Sequence, residues 1–527
     1  MKRLVCFGVI ALALAAAPGF AALPDFFTAG PQAMPETVGT PRDPGAVAAE
    51  MRMLQERLAG RQVEQALRQE IVVRLSGAER KKVDEPSEVN GKYLVGVAKS
   101  IGVTVDFSSV RGQGAANLAV GTARGTAKGG FVWTAAVQSP GATALRVQLT
   151  GVDLPAGAEL YVYNLAGQAF GPYTGRGPLG DGVLYTNTVY GERLLIQLYQ
   201  PDGAERLPSP LRIEGIGVMG KRFVAPRYGP DGAFDINNLE ALAKASNLCA
   251  NNANCVVNAA CQSSAAVNAA KEAVASILFQ SGASFFICTG GLIADTDTTS
   301  VIPYFLTAHH CISSSGEASS METYFDYVTT CSNPNCTQPY NNPGETIGST
   351  IKKTGASSDY TLLQLSSTPV TPDGIATYLG WLTTAVANTN NYALFRISHP
   401  KGSPQAYTEG VVDTSKPTCR TLPRGDFIYS RDTLGATEGG SSGSPLVNSA
   451  GQIVGQLYGA CGTNLNDVCD AANNATVDGA FASTYPNLAP FLNPGGGGCS
   501  PAGASCTSNS QCCSNNCKGK PGAGTCK

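Results

Sequence analysis

The sequence predicts a mainly β, multidomain chain, and three observations carry that expectation. Its 527 residues exceed one ordinary domain. Charged residues make up only 14% while glycines number 61, which favours short strands and turns over long amphipathic helices. The 17 cysteines are clustered: after Cys6 none occurs before Cys249, ten lie from Cys249 to Cys469, and six from Cys499 to Cys526. Even-numbered clusters suit full pairing in an oxidising compartment. With 3 histidines and no CxxC pair, zinc is the weaker reading, and neither metal nor cofactor is expected. The net charge of −2 gives no basic footprint for nucleic acid.

Residues 1–21 read as a signal peptide: MKR, then the apolar LVCFGVIALALAAA, then the small residues of PGFAA, with cleavage near Ala21 or Ala22. The apolar run is short for a membrane span, so a secreted, extracellular protein without stable membrane insertion is predicted. Residues 22–244 form the next unit. "EMRMLQERLAGRQVEQALRQEIVVRL" is helical in character. From about 129 to 217 the pattern alternates, as in "ALRVQLTGVDLPAGAELYVYN" and "GVLYTNTVYGERLLIQLYQ", which predicts a β-sandwich. Residues 245–492 are again β-rich: "SFFICTGGLI", "PYFLTAHHC", "DYTLLQL", "YALFRISHP" and "QIVGQLYGAC" read as strands, and "YPNLAPFL" as a short closing helix. A Gly-rich linker, 493–498, releases a tail, 499–527.

The chemistry concentrates in three stretches of the 245–492 unit. A serine hydroxyl becomes a nucleophile only with a histidine to take its proton and a carboxylate to orient that histidine. It also needs N–H donors for the oxyanion that develops. "TEGGSSGSP" offers Ser442 in a turn where the N–H groups of Gly440 and Ser442 can converge on one oxygen. "TAHHC" offers His309 and His310 at a strand end beside Cys311, and "SSDYTLLQL" offers Asp359 at the start of an apolar strand. Taken singly, each has a plain structural alternative: a surface loop, a core histidine, a turn aspartate.

Taken in order, these motifs resemble the chymotrypsin-like (trypsin-like) serine peptidases. The stretches "LCANNANC", "CTGGLI", "YFLTAHHC", "DYTLLQL", "ISHP", "TEGGSSGSP" and "GQLYG" resemble the secreted bacterial lysyl endopeptidases within them. "YVYN" and "GPYTGRGP" look like the propeptide of such a precursor. The resemblance implies a double antiparallel β-barrel catalytic domain at 245–492, with His310 as base, Asp359 as orienting acid and Ser442 as nucleophile. It implies a zymogen whose propeptide, 22–244, aids folding and covers the cleft until a cut between Lys244 and Ala245. It also implies the disulfides Cys288–Cys311, Cys249–Cys461 and Cys255–Cys331, leaving Cys261, Cys336, Cys419 and Cys469 open. Protein or peptide substrates follow. His399 reads as a structural His-Pro turn in preference to a second site histidine.

The sequence departs from the lysyl enzymes at the specificity pocket. Thr476 stands where they carry an acid, and Tyr458 replaces the histidine of their "GQLHG" strand. Glu438 and Asp478 are the nearby acids left to favour a Lys or Arg before the cut. The tail spacing C-x6-C-x5-CC-x3-C-x8-C resembles an inhibitor cystine knot, implying Cys499–Cys513, Cys506–Cys517 and Cys512–Cys526. A unit this small needs such staples, and it would bind a surface or ligand or merely resist proteolysis. Two other classes stand beside the enzyme: an inactive protease fold kept for binding, and an adhesin-like protein in which the sandwich and tail act.

Overall fold

The computed structural model describes residues 31–494 except 60–62, 86, 90, 111, 206, 208–209, 222, 224–247, 250, 298–300, 332–343, 370 and 372, together with 505–506, 517–520 and 523–526 of the tail. The expected signal peptide, the Lys244–Ala245 cut and the three tail disulfides lie outside the described residues. Two helices, Pro44–Ala59 and Val63–Arg68, realise the helical stretch of the N-terminal unit. None of the described helices is long and apolar enough to cross a membrane.

The sandwich is larger than the sequence suggested. One sheet orders Ala169–Tyr173, Glu159–Tyr163, Arg193–Gln200, Phe131–Gln138, Thr122–Gly125 and Gly114–Asn117. The other is built on Lys92–Val105, Leu211–Met219 and Ala144–Thr150. Their facing apolar residues, Trp133, Leu145, Val147, Leu149, Leu194 and Ile213, are buried between them. Strand Lys92–Val105 escaped prediction because Gly96, Ala98, Ser100 and Gly102 interrupt its apolar pattern.

Residues 274–480 form two six-stranded barrels, each closed by its own pairing. In the first, Val274–Ser281 pairs Ser284–Leu292, then Tyr304–Thr307, Tyr360–Leu365 and Ser349–Gly355 follow. At Gly348, φ +80°, that last strand turns into Gly344–Ile347, which pairs Glu322–Phe325 and so returns to Val274–Ser281. In the second, Gln452–Gly462, Pro445–Val447, Ala393–Ser398, Ala406–Val412, Phe427–Leu434 and Asn474–Ala480 close back on Gln452–Gly462. Helix Phe481–Leu492 caps the domain, as "YPNLAPFL" foretold.

Strand Ser284–Leu292 joins the two halves. Every one of its residues is buried, because both of its faces are covered. Phe286 and Cys288 face the first barrel, while Phe285 and Ile287 pack with Tyr93, Val95 and Met219 of the sandwich. Backbone pairing Phe286↔Leu94 and Ile287↔Tyr93 makes one continuous sheet. Gly217 permits this approach, since a Cβ there would meet the Phe285 ring at 2.7 Å. A buried polar contact lies beside it: Arg146 Nε stands 3.5 Å from Glu322 Oε2, both side chains fully buried, and Thr188 donates to Glu322 at 2.6 Å. Arg146→Ala leaves that carboxylate without its counter-charge, so the chain is expected to lose about 3–5 kcal/mol of stability. Denaturant unfolding of the full chain with and without the substitution checks this.

The disulfides correct two pairings. Cys288–Cys311 forms as expected, tying the His310 loop to Ser284–Leu292. Cys255 bonds Cys469 rather than Cys331, which bonds Cys261. Cys461 bonds Cys419, not Cys249, which is itself disulfide-bonded. The physical reason is proximity within the fold: Cα–Cα separations are 5.7 Å for Cys255–Cys469 and 6.0 Å for Cys419–Cys461, inside the range that a disulfide spans. In the tail, Ser505–Cys506, Ala523–Cys526 and Cys517–Lys520 make a three-stranded antiparallel sheet.

Candidate active site

The three stretches singled out in the sequence meet between the barrels. Asp359 ends the turn before Tyr360–Leu365, with φ +53°, and its side chain is buried. Both of its carboxylate oxygens serve His310: Oδ1 accepts the His310 backbone N–H at 2.8 Å, and Oδ2 lies 2.7 Å from Nδ1. The acid thus fixes both the loop and the ring, and it assigns the proton to Nδ1, leaving Nε2 free to accept. His309 takes another course, with Nδ1 2.8 Å from Thr354 Oγ1. Of the two histidines in "HHC", His310 is the one set against the acid.

Ser442 is buried on the loop between Phe427–Leu434 and Pro445–Val447. Gly440 and Gly443 flank it with φ of +97° and +83°, conformations that L side chains rarely adopt. A Cβ on Gly440 would also stand 3.0 Å from the His399 carbonyl. Thr289 Oγ1 donates to the Gly440 carbonyl at 2.8 Å and Thr289 N–H to the Ser442 carbonyl at 2.8 Å, so the disulfide-bearing strand holds the loop from below.

The space between His310 and Ser442 is filled by the N-terminal unit, by a feature that sequence reading missed. Strands Glu88–Val89 and Lys92–Val105 pair as a tight hairpin, Val89↔Lys92, and Gly91 at its tip has φ +79°. Ser442 Oγ donates to the Gly91 carbonyl at 3.0 Å. A Cβ on Gly91 would lie 2.8 Å from His310 Nε2 and 3.5 Å from Ser442 Oγ. Lys92 anchors the hairpin through Glu317 at 3.3 Å. The signal was legible: Asn-Gly between apolar residues in "SEVNGKYLVGV" is a strong short-range hairpin mark.

Around this centre, Tyr458 sets its ring edge-on to His310, centroids 5.7 Å apart, and packs likewise on Phe427. His399 is fully buried, donates Nδ1–H to the Ser403 carbonyl at 2.9 Å and stacks on Tyr327. Burial pulls its pKa down to about 4, so it is a neutral structural histidine. The two candidate pocket acids are already paired. Glu438 binds Lys401 at 2.7 Å and accepts from Asn252 at 2.8 Å; Asp478 binds Arg396 through both oxygens at 2.7 and 2.9 Å. Thr476 Oγ1 instead donates to Asp432, at 2.8 Å, an acid the sequence reading had not named.

For a metal, Cys288, His310 and Cys311 lie close, but both cysteines are in the disulfide and offer no thiolate. Glu272, Asp326 and Asp373 bring carboxylates within 4.8 Å at a distance from this centre. Burial, reinforced by their mutual repulsion, pushes Glu272 up to about 7 and Asp326 to about 8, so a retained proton eases the repulsion.

Against known proteins, residues 244–475 match the family model "Lysyl endopeptidase, C-terminal domain". A lysyl endopeptidase of Pseudomonas aeruginosa is 31% identical over 256 residues, covering 46% of this chain and 52% of that protein. The chain thus spans about half the length of this curated relative. Among solved structures, the HtrA-type protease AlgW with tripeptide aligns at 16% identity, over 46% of this chain and 67% of that one, with a TM-score of 0.31. The Rv3671c protease of M. tuberculosis, active form, aligns at 18% identity over 44% and 84%, with a TM-score of 0.29. By the family match and the relative's sequence, residues 244–475 are similar to the C-terminal domain of lysyl endopeptidases, and that similarity supports a serine protease.

Proposed function

We propose that the chain is the precursor of a secreted serine endopeptidase that cleaves peptide bonds through an acyl-enzyme on Ser442. His310 Nε2 takes the Ser442 proton as Oγ attacks the scissile carbonyl, and Asp359 steadies the imidazolium that results. The N–H groups of Gly440 and Ser442 receive the oxyanion. His310 then returns the proton to the leaving amine. Water, activated by the same imidazole, releases the acid product and restores the serine. The observation that carries this reading is the shared hold of Asp359 on His310, through backbone and ring together, beside the Ser442 loop.

In this reading residues 22–244 are a propeptide that both templates and silences the enzyme. The seated hairpin supports the second role: its tip takes the Ser442 hydroxyl as a donor, so that proton points at Gly91 and not at His310. A tight two-residue turn also presents no extended peptide for attack. The shared sheet through Lys92–Val105 supports the first role, since it covers an apolar strand of the barrel. Removal follows a cut after Lys244, freeing Ala245, and the Gly-rich linker leaves the tail as a cystine-knot-like module carried outside the cell.

The test is production of the Ser442→Ala precursor alone. It is expected to accumulate uncut, while the wild-type precursor yields a chain starting at Ala245 by N-terminal sequencing. Efficient self-processing of Ser442→Ala would remove Ser442 from the mechanism. A companion measurement is refolding of the 245–492 unit with and without residues 22–244 added in trans. Equal yields would contradict the templating role and leave the serine chemistry untouched.

A further inference from the structure

Apart from Asp359 and the hairpin's Glu88, three acidic side chains stand near the loop that carries Ser442, and they differ in one respect. Glu438 and Asp478 each hold a cation. Asp432 accepts a hydrogen bond from Thr476 Oγ1 at 2.8 Å, and among the described residues no Lys or Arg nitrogen comes within 4.0 Å of it. Its strand, Phe427–Leu434, runs directly into the Ser442 loop. The register Ser430↔Thr476 and Ala460↔Thr476 puts Asn474–Ala480 between its strand and the strand that carries Tyr458, whose ring edges His310, so Thr476 bridges the two. Next to Tyr458, Gly459 leaves open space: a Cβ there would meet nothing within 4 Å. The strip from Ser442 past Gly459 toward Thr476 is therefore not filled by side chains of its own strand.

Resting on the serine-peptidase reading above, we propose that Asp432, oriented by Thr476, is the specificity-determining carboxylate that receives a Lys or Arg side chain immediately before the scissile bond. An unpaired, largely buried carboxylate is costly, and a substrate ammonium or guanidinium arriving along the Gly459 strip offsets that cost. The energetic logic also makes the neighbouring acids unsuitable. Drawing Glu438 or Asp478 toward substrate would take the counter-charge from Lys401 or from the buried Arg396. Asp432 gives up only a hydroxyl contact that it can keep.

Burial pushes the Asp432 carboxyl up from 3.8 to about 6; the Asp478 charge acts the same way, while Arg396, the Thr476 hydrogen bond and Lys416 oppose it. These are the groups that face it. A raised carboxyl is charged above about 6 and neutral below, so the pull on a cationic substrate is present above that pH and lost as pH falls through it.

The experiment compares two peptide substrates, identical except for Lys or its neutral isostere norleucine before the cut, with processed wild type and Asp432→Asn. In the variant the ratio of kcat/KM for Lys over norleucine is expected to fall roughly a hundredfold, as truncation of one partner of a buried charge pair does. Labelling of Ser442 by a fluorophosphonate should be unchanged, and adding Thr476→Asp to the variant should restore much of the ratio. An unchanged ratio with intact labelling overturns the assignment of Asp432 and leaves the serine mechanism standing. Loss of labelling in wild type itself overturns the mechanism instead. If Asp432→Asn does not fold, the wild-type ratio followed from pH 8 to about pH 5 decides. Any ionisation that affects both substrates equally divides out of the ratio. A ratio that falls through about 6 supports Asp432, and a flat one rejects it.

Discussion

His310→Ala is expected to cut kcat by about four to six orders of magnitude in the processed enzyme, with little change in KM. Without the imidazole, Ser442 has no base, and water cannot take its proton at neutral pH at a useful rate. What survives is binding and oxyanion stabilisation. His309→Ala should cost far less, because the His309 ring bonds Thr354 Oγ1 and its backbone N–H bonds the Asp359 carbonyl without using the side chain. Asp359→Asn should fall close to His310→Ala. The amide keeps the shape, yet one of its two side-chain atoms would then face an N–H donor with an N–H of its own, at the backbone or at the ring. Steady-state kinetics on the three variants check the order. A severe loss at His309 with a mild one at His310 would shift the register by one residue.

Gly91→Ala should release the precursor from its own inhibition. The tip residue stands at φ +79°, where an L side chain costs about 1–2 kcal/mol. Its new methyl would press 2.8 Å from His310 Nε2 and 3.1 Å from Cδ2, in a wall whose ring is fixed by Asp359. Together these effects amount to about 2–3 kcal/mol against the seated hairpin, or roughly a 30- to 150-fold rise in the open fraction. Hydrolysis of a small ester by unprocessed precursor should rise by that factor. Maturation should quicken with it. Lys92→Ala, which removes the anchor to Glu317 but leaves the tip intact, should act in the same direction and more weakly. If Gly91→Ala precursor stays as silent as wild type, the hairpin is not what blocks the centre.

Much of the candidate site was legible because His310, Asp359 and Ser442 each lie in a short motif whose residue types suit one chemistry, while the choice of His310 and the Cys288–Cys311 clamp came from the family resemblance. The pairings Cys255–Cys469 and Cys419–Cys461 were not legible, because they join segments 214 and 42 residues apart whose proximity only the closed second barrel creates. Strand Lys92–Val105 was missed for a related reason. Its residues show no alternation, since one stretch is covered by the sandwich and another by the barrel, and glycines replace side chains where the backbones approach. Asp432 was invisible as a site residue because nothing local distinguishes it. Its meaning arises from Thr476 across the strand pair and from the cations that hold Glu438 and Asp478.

The central claim is that Ser442 is a nucleophile activated by His310 and masked by the Gly91 hairpin. The most direct measurement is intact-mass and peptide-level detection of a fluorophosphonate adduct on three samples: processed enzyme, unprocessed precursor and processed His310→Ala. The account predicts one adduct per chain on the Ser442 peptide of the processed enzyme, slow labelling of the precursor and almost none of the variant. No adduct on folded, processed wild-type protein, or an adduct on a different serine, would contradict it.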